Sequence, residues 1–145
     1  METDYIHSRI PHRPPFLWLD RVLEVREDAL LAEKVVPVDL ELFRGHYPDH
    51  PIMPGVLLCE AVFQAGALLI SEQLGRNGDR NTGVPVLTRI QGARFKREVG
   101  PGDRIEIHVR LRERLGPAWF LKGSVRVHGR VAVTVEFGCT LKAEE

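Results

Sequence analysis

The sequence predicts an α+β domain in which a long helix is enclosed by a curled antiparallel sheet. Three observations carry that expectation. From Pro54 to about Leu74, "PGVLLCEAVFQAGALLISEQL" is apolar or small over nearly every turn. After Gly83 the hydrophobic period switches to two: Ile105, Ile107, Val109 and Leu111 alternate with Glu106, His108, Arg110 and Arg112. The chain of 145 residues, 43% hydrophobic and 28% charged, suits one domain with its own core. A helix that is apolar nearly all round needs cover on several sides, so a sheet supplies part of it and a second copy of the chain the rest.

Taken in order, Arg21 to Val38, "RVLEVREDALLAEKVVPV", alternates like strand at both ends around the turn-prone Glu27 and Asp28. Asp39 to Met53, punctuated by Pro and Gly, reads as a loop too irregular for helix or ladder. Pro54 suits the first helical position, where a missing N–H has no partner to lose. Turn formers in "GRNGDRNTG" at 75–83 end the helix. From Pro85 to Lys142 the pattern predicts four antiparallel strands, each with one wet face. In the last of them Val131, Val133, Val135 and Phe137 alternate with Ala132, Thr134 and Glu136. "LGP" at 115–117 and "HGR" at 128–130 mark the turns. No repeat, low-complexity tract or linker divides residues 1–145, which read as a single domain.

Composition excludes several function classes. Acids and bases balance at 20 each, so no overall field draws in nucleic acid or an anionic membrane. The N-terminus, "METDYIHSRIPHRPP", lacks the basic and apolar regions of a signal peptide. The apolar run from Val56 to Ile70 is interrupted by Glu60 and Gln64 and is shorter than the ~20 residues a bilayer needs. Cys59 and Cys139 lie in apolar surroundings and read as buried free thiols of a reducing compartment rather than a disulfide. A soluble cytoplasmic protein is expected.

Glu60 is the anomaly. A carboxylate is seldom buried unless paired, and Gln64, four positions on, shares its helical face. A buried arginine partner or simple surface exposure would each explain it without function. His46 shifts the balance: it lies in a loop stiffened by Pro48, Pro51 and Pro54 that feeds the helix. Neutral imidazole accepts a proton near pH 7, whereas a carboxyl group removed from water tends to keep one, so the pair has the parts for proton transfer. Gly55, in the first turn, offers an unpaired N–H at a positive helix end, suited to a carbonyl oxygen gaining charge.

"GHYPDHPIMPGVLLCEAVFQ" at 45–64 resembles the signature of the 3-hydroxyacyl-[acyl-carrier-protein] dehydratases of bacterial fatty acid synthesis. "IPHRPPFLWLDRVLEV" at 10–25 and "ARFKREVGPGDRIEI" at 93–107 are similar to two further blocks of that family, in the same order. The resemblance implies the hot-dog fold, with two sheets joined edge to edge in a homodimer, and a trimer of dimers in many members. It implies dehydration of a (3R)-hydroxyacyl thioester on acyl carrier protein to the trans-2-enoyl product, with no metal or organic cofactor. His46 then corresponds to the general base, Glu60 to the acid that protonates the departing hydroxyl, Gly55 to the N–H on the thioester carbonyl, and Gln64 to the residue that orients Glu60. The base of one subunit works with the acid of the other. Met53, Val56 and Phe63 correspond to the acyl tunnel, and Phe63 stands where the family usually has alanine, which implies a shorter or rerouted tunnel. Glu98 replaces a common proline, and "DLELF" at 39–43 departs from the usual lead-in.

Other clusters are weaker. His46 and His50 are four apart, a metal-ligand spacing only on a helix, which Pro48 and Pro51 forbid. His7, His12, His108 and His128 read as surface or structural groups. Arg94, Lys96 and Arg97 form a basic cluster on an apparent strand, either a solvated face or part of a docking site for an acidic carrier. Two other functions stay open: a hot-dog thioesterase using Glu60 alone, and a non-catalytic acyl-binding protein.

Overall fold

The computed structural model describes residues 3–76, 78 and 83–142. A short helix α1 (Thr3–His7) leads into strands β1 (Arg21–Val25) and β2 (Ala29–Val35). After a 3-10 turn at Glu41–Arg44 come helix α2 (Gly55–Arg76) and strands β3 (Val84–Phe95), β4 (Arg104–Leu115), β5 (Ala118–Val127) and β6 (Arg130–Lys142). All pairings are antiparallel, in the order β1-β2-β4-β5-β6-β3. α2 lies on the inner face of this six-stranded sheet. The α+β expectation, the strand pair around Glu27 and Asp28, and the four later strands all hold.

The differences are local. Pro54 flanks α2 rather than starting it, because its carbonyl accepts the first helical bond, from the Leu58 N–H at 3.3 Å. α1 and the 3-10 turn were not anticipated; both are too short for a hydrophobic period to register. The helix-ending stretch at 75–83 lies mostly outside the described residues.

Inward-facing Ile105, Ile107 and Val109 of β4, Trp119, Leu121 and Val125 of β5, and Val133, Val135 and Phe137 of β6 bury against Leu58, Val62, Leu68 and Leu69 of α2. By length and hydropathy (22 residues, 1.5) α2 could cross a bilayer, but 67% of its most apolar stretch is buried within the fold, as in the core helix of a globular domain. The predicted alternation in β6 fails at its start: Ala132 is buried and Val131 only half so. Ala132 is an extra residue opposite the Val125–Arg126 step of β5, a bulge that shifts the register there by one residue. Tight turns keep the hairpins in step. His128 and Gly129, with φ of 52° and 76°, make a two-residue β5–β6 loop of the left-handed kind that matches strand twist.

One strand breaks the one-wet-face rule. β3 pairs only with β6, and most of it is exposed on both faces, including Ile90 and Phe95. An edge strand with unpaired backbone groups and apolar side chains in solvent is a template for another chain.

Two acids tie the frame together. Glu33 of β2 is buried between Arg21, its cross-strand neighbour on β1, and Arg104 of β4. Glu72 of α2 receives the Tyr5 hydroxyl and, at 2.6 Å, Arg9 Nε, which fastens the N-terminal segment to the helix. Burial opposes ionisation of both, yet hydrogen bonds and charge from these partners prevail and hold each carboxyl below its usual range. A folded-state pKa below the unfolded value adds stability that is full above the unfolded pKa and is lost as pH falls through the folded one. Thermal melts should therefore fall as pH drops below about 4. Glu33→Gln should flatten that acid dependence, and an unchanged acid slope in the variant would contradict this account.

Candidate active site

Glu60 sits on the second turn of α2 and its side chain is 22% exposed. It is not alone. Gln64 Nε2 donates to its Oε2 at 3.0 Å. Gln64 is itself fully buried and commits its other groups to the chain before β1: Nε2 donates to the Phe16 carbonyl at 2.9 Å, and Oε1 accepts the Trp18 N–H at 2.8 Å. An amide held at three points has one orientation, so it presents a fixed donor to Glu60. The expected Glu60–Gln64 pair is thus present as geometry.

Two further groups face the acid. His12 Nε2 lies 3.7 Å from Glu60 Oε2. The Cys139 thiol of β6 is buried and free, as is Cys59; burial first, then the Glu60 charge, pushes Cys139 up to about 11. It therefore stays a thiol, inert as a nucleophile at neutral pH. The sequence alone reads His12 as a surface or structural group, with no link to the site. "PHRPP" carries no period or spacing that ties it to α2, so only folding could reveal the contact.

His46 belongs to the loop before α2, where Tyr47 has a left-handed φ of 56° and the His50 N–H closes a turn onto the Tyr47 carbonyl at 2.9 Å. The His46 Nδ1–H donates to the Ile52 carbonyl at 2.8 Å, and the Tyr47 ring packs edge-on against the imidazole. A neutral ring with its proton on Nδ1 leaves the Nε2 lone pair free to accept. No hydrogen bond or ion pair joins His46 to Glu60 within one protomer, among the described residues. His50 turns away, its Nε2 2.8 Å from Glu98 Oε2.

A cleft of about 490 Å³ opens at the start of α2, lined by Met53, Gly55, Val56, Phe95, Lys96 and Arg97 among others. The Phe95 ring lies close over Gly55: a Cβ there would lie 2.6 Å from it, so the ring would have to shift. Its N–H belongs to the first turn of a 22-residue helix, where no carbonyl of the helix can reach it. Val56, 71% exposed, forms one wall with Met53 beneath it. Phe63 lies two turns further along α2, buried and edge-on to Phe137 with centroids 4.9 Å apart. Lys96 and Arg97 follow the end of β3, while Arg94 and Lys96 share a second recess with Lys122. A roomier hollow of about 590 Å³ on the outer sheet face, around His108 and Ser124, shares no lining residue with this cleft.

Comparison with known proteins gives consistent results. The FabA-like domain model matches residues 10–136. A protein of Anaeromyxobacter sp. (strain Fw109-5), "3-hydroxyacyl-[acyl-carrier-protein] dehydratase FabZ", is 41% identical over 100% of this chain and 92% of its own. The protein of that name from Aromatoleum aromaticum is 42% identical over 98% of both. Among solved structures, "The Dehydratase Heterocomplex ApeI:P from Xenorhabdus doucetiae" superposes with a TM-score of 0.81 at 18% identity, covering 96% of this chain and 91% of that one. The TT0310 protein of Thermus thermophilus superposes with a TM-score of 0.66 at 15% identity, over 98% of this chain and 100% of the other. At these identities the structures speak to the fold.

Proposed function

We propose, from the premise that this chain belongs to the FabA-like family and has the hot-dog fold, how its residues carry out the reaction of that family. The reaction is dehydration of a 3-hydroxyacyl-[acyl-carrier-protein] in fatty acid biosynthesis, as the names of its full-length relatives indicate, which makes the chain a hydro-lyase.

In our reading the thioester carbonyl faces the Gly55 N–H, and the positive end of α2 stabilises the charge that grows on it. His46 Nε2 takes the proton from the carbon beside the thioester. Glu60, steadied by Gln64, gives its proton to the hydroxyl, and water leaves. The observation that carries this best is the division of labour between the two groups. One imidazole has its Nδ1 committed and its Nε2 free, and one half-buried carboxyl has a fixed donor on a single oxygen.

We take the working unit to be a homodimer, the His46 of one chain meeting the Glu60 of the other. The wet, apolar, one-sided β3 supports this, since a second β3 would satisfy its open edge. A trimer of dimers remains a family expectation. The acyl chain would enter past Met53 and Val56 and run toward Phe63, whose contact with Phe137 would form an aromatic barrier. The two free thiols fit a cytoplasmic setting.

The decisive assay incubates the pure protein with 3-hydroxybutyryl- and 3-hydroxydecanoyl-carrier protein and separates enoyl product from free acid. Enoyl product supports the dehydratase. Free acid without enoyl would point to a thioesterase working through Glu60, and tight acyl binding without turnover to a binding protein. Arg94, Lys96 and Arg97, all exposed, would meet the acidic carrier protein. Reversing charge at Arg94 and Lys96 should slow carrier-dependent turnover at low salt through kcat/KM. Turnover unchanged at low salt would remove these residues from the docking surface.

A further inference from the structure

We infer that His12 is the proton relay of the Glu60 site, returning to that carboxylate after each turnover the proton given to the departing hydroxyl. This rests on the reading of Glu60 as general acid. In that reaction the C–H bond beside the thioester breaks and its proton passes to His46. The C–O bond breaks, its oxygen takes the Glu60 proton, and water departs. The protein is left with an imidazolium at position 46 and a carboxylate at position 60. Before the next substrate, one proton must leave His46 for solvent and one must reach Glu60.

Glu60 is only 22% exposed, and the groups packed against it differ in what they can deliver. Gln64 touches Oε2 at 3.0 Å, but an amide has no proton to exchange at these pH values, and its remaining groups are bound to Phe16 and Trp18. Cys139 keeps its proton too firmly, with its pKa pushed to about 11. His12 Nε2 approaches the same oxygen to 3.7 Å, within about 1 Å of hydrogen-bond length. The other ring nitrogen, Nδ1, is buried with no protein partner. A buried polar atom of that kind is ordinarily satisfied by water. In the proposed relay a water held on the buried Nδ1 and the carboxylate facing Nε2 flank the imidazole. A proton taken up at Nδ1 and released from Nε2 leaves the ring neutral again, as its other tautomer, and rotation or exchange with water resets it.

The backbone that carries the ring is also well anchored. Arg13 donates to the carbonyls of His12, Ile10 and His7 at 2.7, 2.8 and 2.9 Å, and Arg9 and Tyr5 bind Glu72 of α2, the helix that carries Glu60. The segment that carries His12 is therefore fastened to the helix that carries Glu60. Burial, with Arg13 adding to it and Glu60 opposing, lowers the proton affinity of His12, so the ring gives a proton up readily.

The test compares wild type, His12→Ala and His12→Gln on hydroxyacyl-carrier protein at mildly alkaline pH, in dilute buffer and with added imidazole. A relay predicts that kcat falls several-fold in dilute buffer while kcat/KM is held, and that added imidazole restores kcat. Gln should behave like Ala, since it can hydrogen-bond but cannot carry the proton, and melting curves of both verify folding. A joint fall of kcat and kcat/KM without rescue would make His12 only a wall of the site, and a wild-type kcat in dilute buffer would dismiss it altogether. If the wild type yields no enoyl product, the dehydratase reading fails first, and that outcome is visible without any variant.

Discussion

Glu60→Gln should lower enoyl formation by about 10²–10⁴. Glutamine keeps the size and the hydrogen bond with Gln64 but has no acidic proton for the leaving hydroxyl. His46→Ala removes the proposed base and should cost a similar factor, with the fold intact because its ring is half-buried in a loop. Measured together, the two variants test the dimer. If base and acid come from different chains, a mixture of subunits that are singly dead forms heterodimers with one intact pair of residues. Random mixing then restores about one quarter of wild-type activity, because half the dimers are mixed and each has one of two sites. If both residues serve the same chain's site, mixing restores nothing, and the proposed division across the interface is wrong.

The largest stability effect is expected at Gly123. A Cβ there would lie 2.6 Å from the His108 carbonyl oxygen of β4 and closer still to Val62 Cγ1 of α2. Neither neighbour yields easily. His108 belongs to a strand pinned between β2 and β5, and Val62 is fully buried in the core. Gly123→Ala should destabilise by about 1–3 kcal/mol, a fall in Tm of roughly 3–10 °C for a chain of this size. Gly45→Ala, where nothing lies within 4 Å and φ is −113°, is the matched control and should leave Tm nearly unchanged. Equal Tm values for the two variants would mean that the helix does not close on the sheet at Gly123 as described.

These residues show where sequence reasoning works. Pro54 to Leu74 is too apolar for one face, and that excess foretold a helix packed within a sheet. Ile105, Ile107 and Val109 alternate strictly, so β4 was legible with its inward face. Val131 and Ala132 exchanged their expected burial because a bulge belongs to the pairing of two strands and leaves no mark in either alone. Glu33 illustrates the same limit. Its partners Arg21 and Arg104 come from strands on either side, and no local pattern pairs them with it.

The candidate site divides along the same line. His46, Gly55, Glu60 and Gln64 lie within one short block, so their order and types could be read directly. The i, i+4 spacing already put Glu60 and Gln64 together. What holds Gln64, namely the backbone of Phe16 and Trp18, comes from the far end of the chain.

The sequence by itself determined the six strands and the apolar helix, and it put forward His46 and Glu60 as the candidate pair for proton transfer, because period, order and local spacing are properties of consecutive residues. Only the tertiary structure decided that β3 is an open edge, that the Phe95 ring covers Gly55, and that His12 faces the acid. Those facts depend on strand order and on distant segments meeting in space, and no local pattern encodes either.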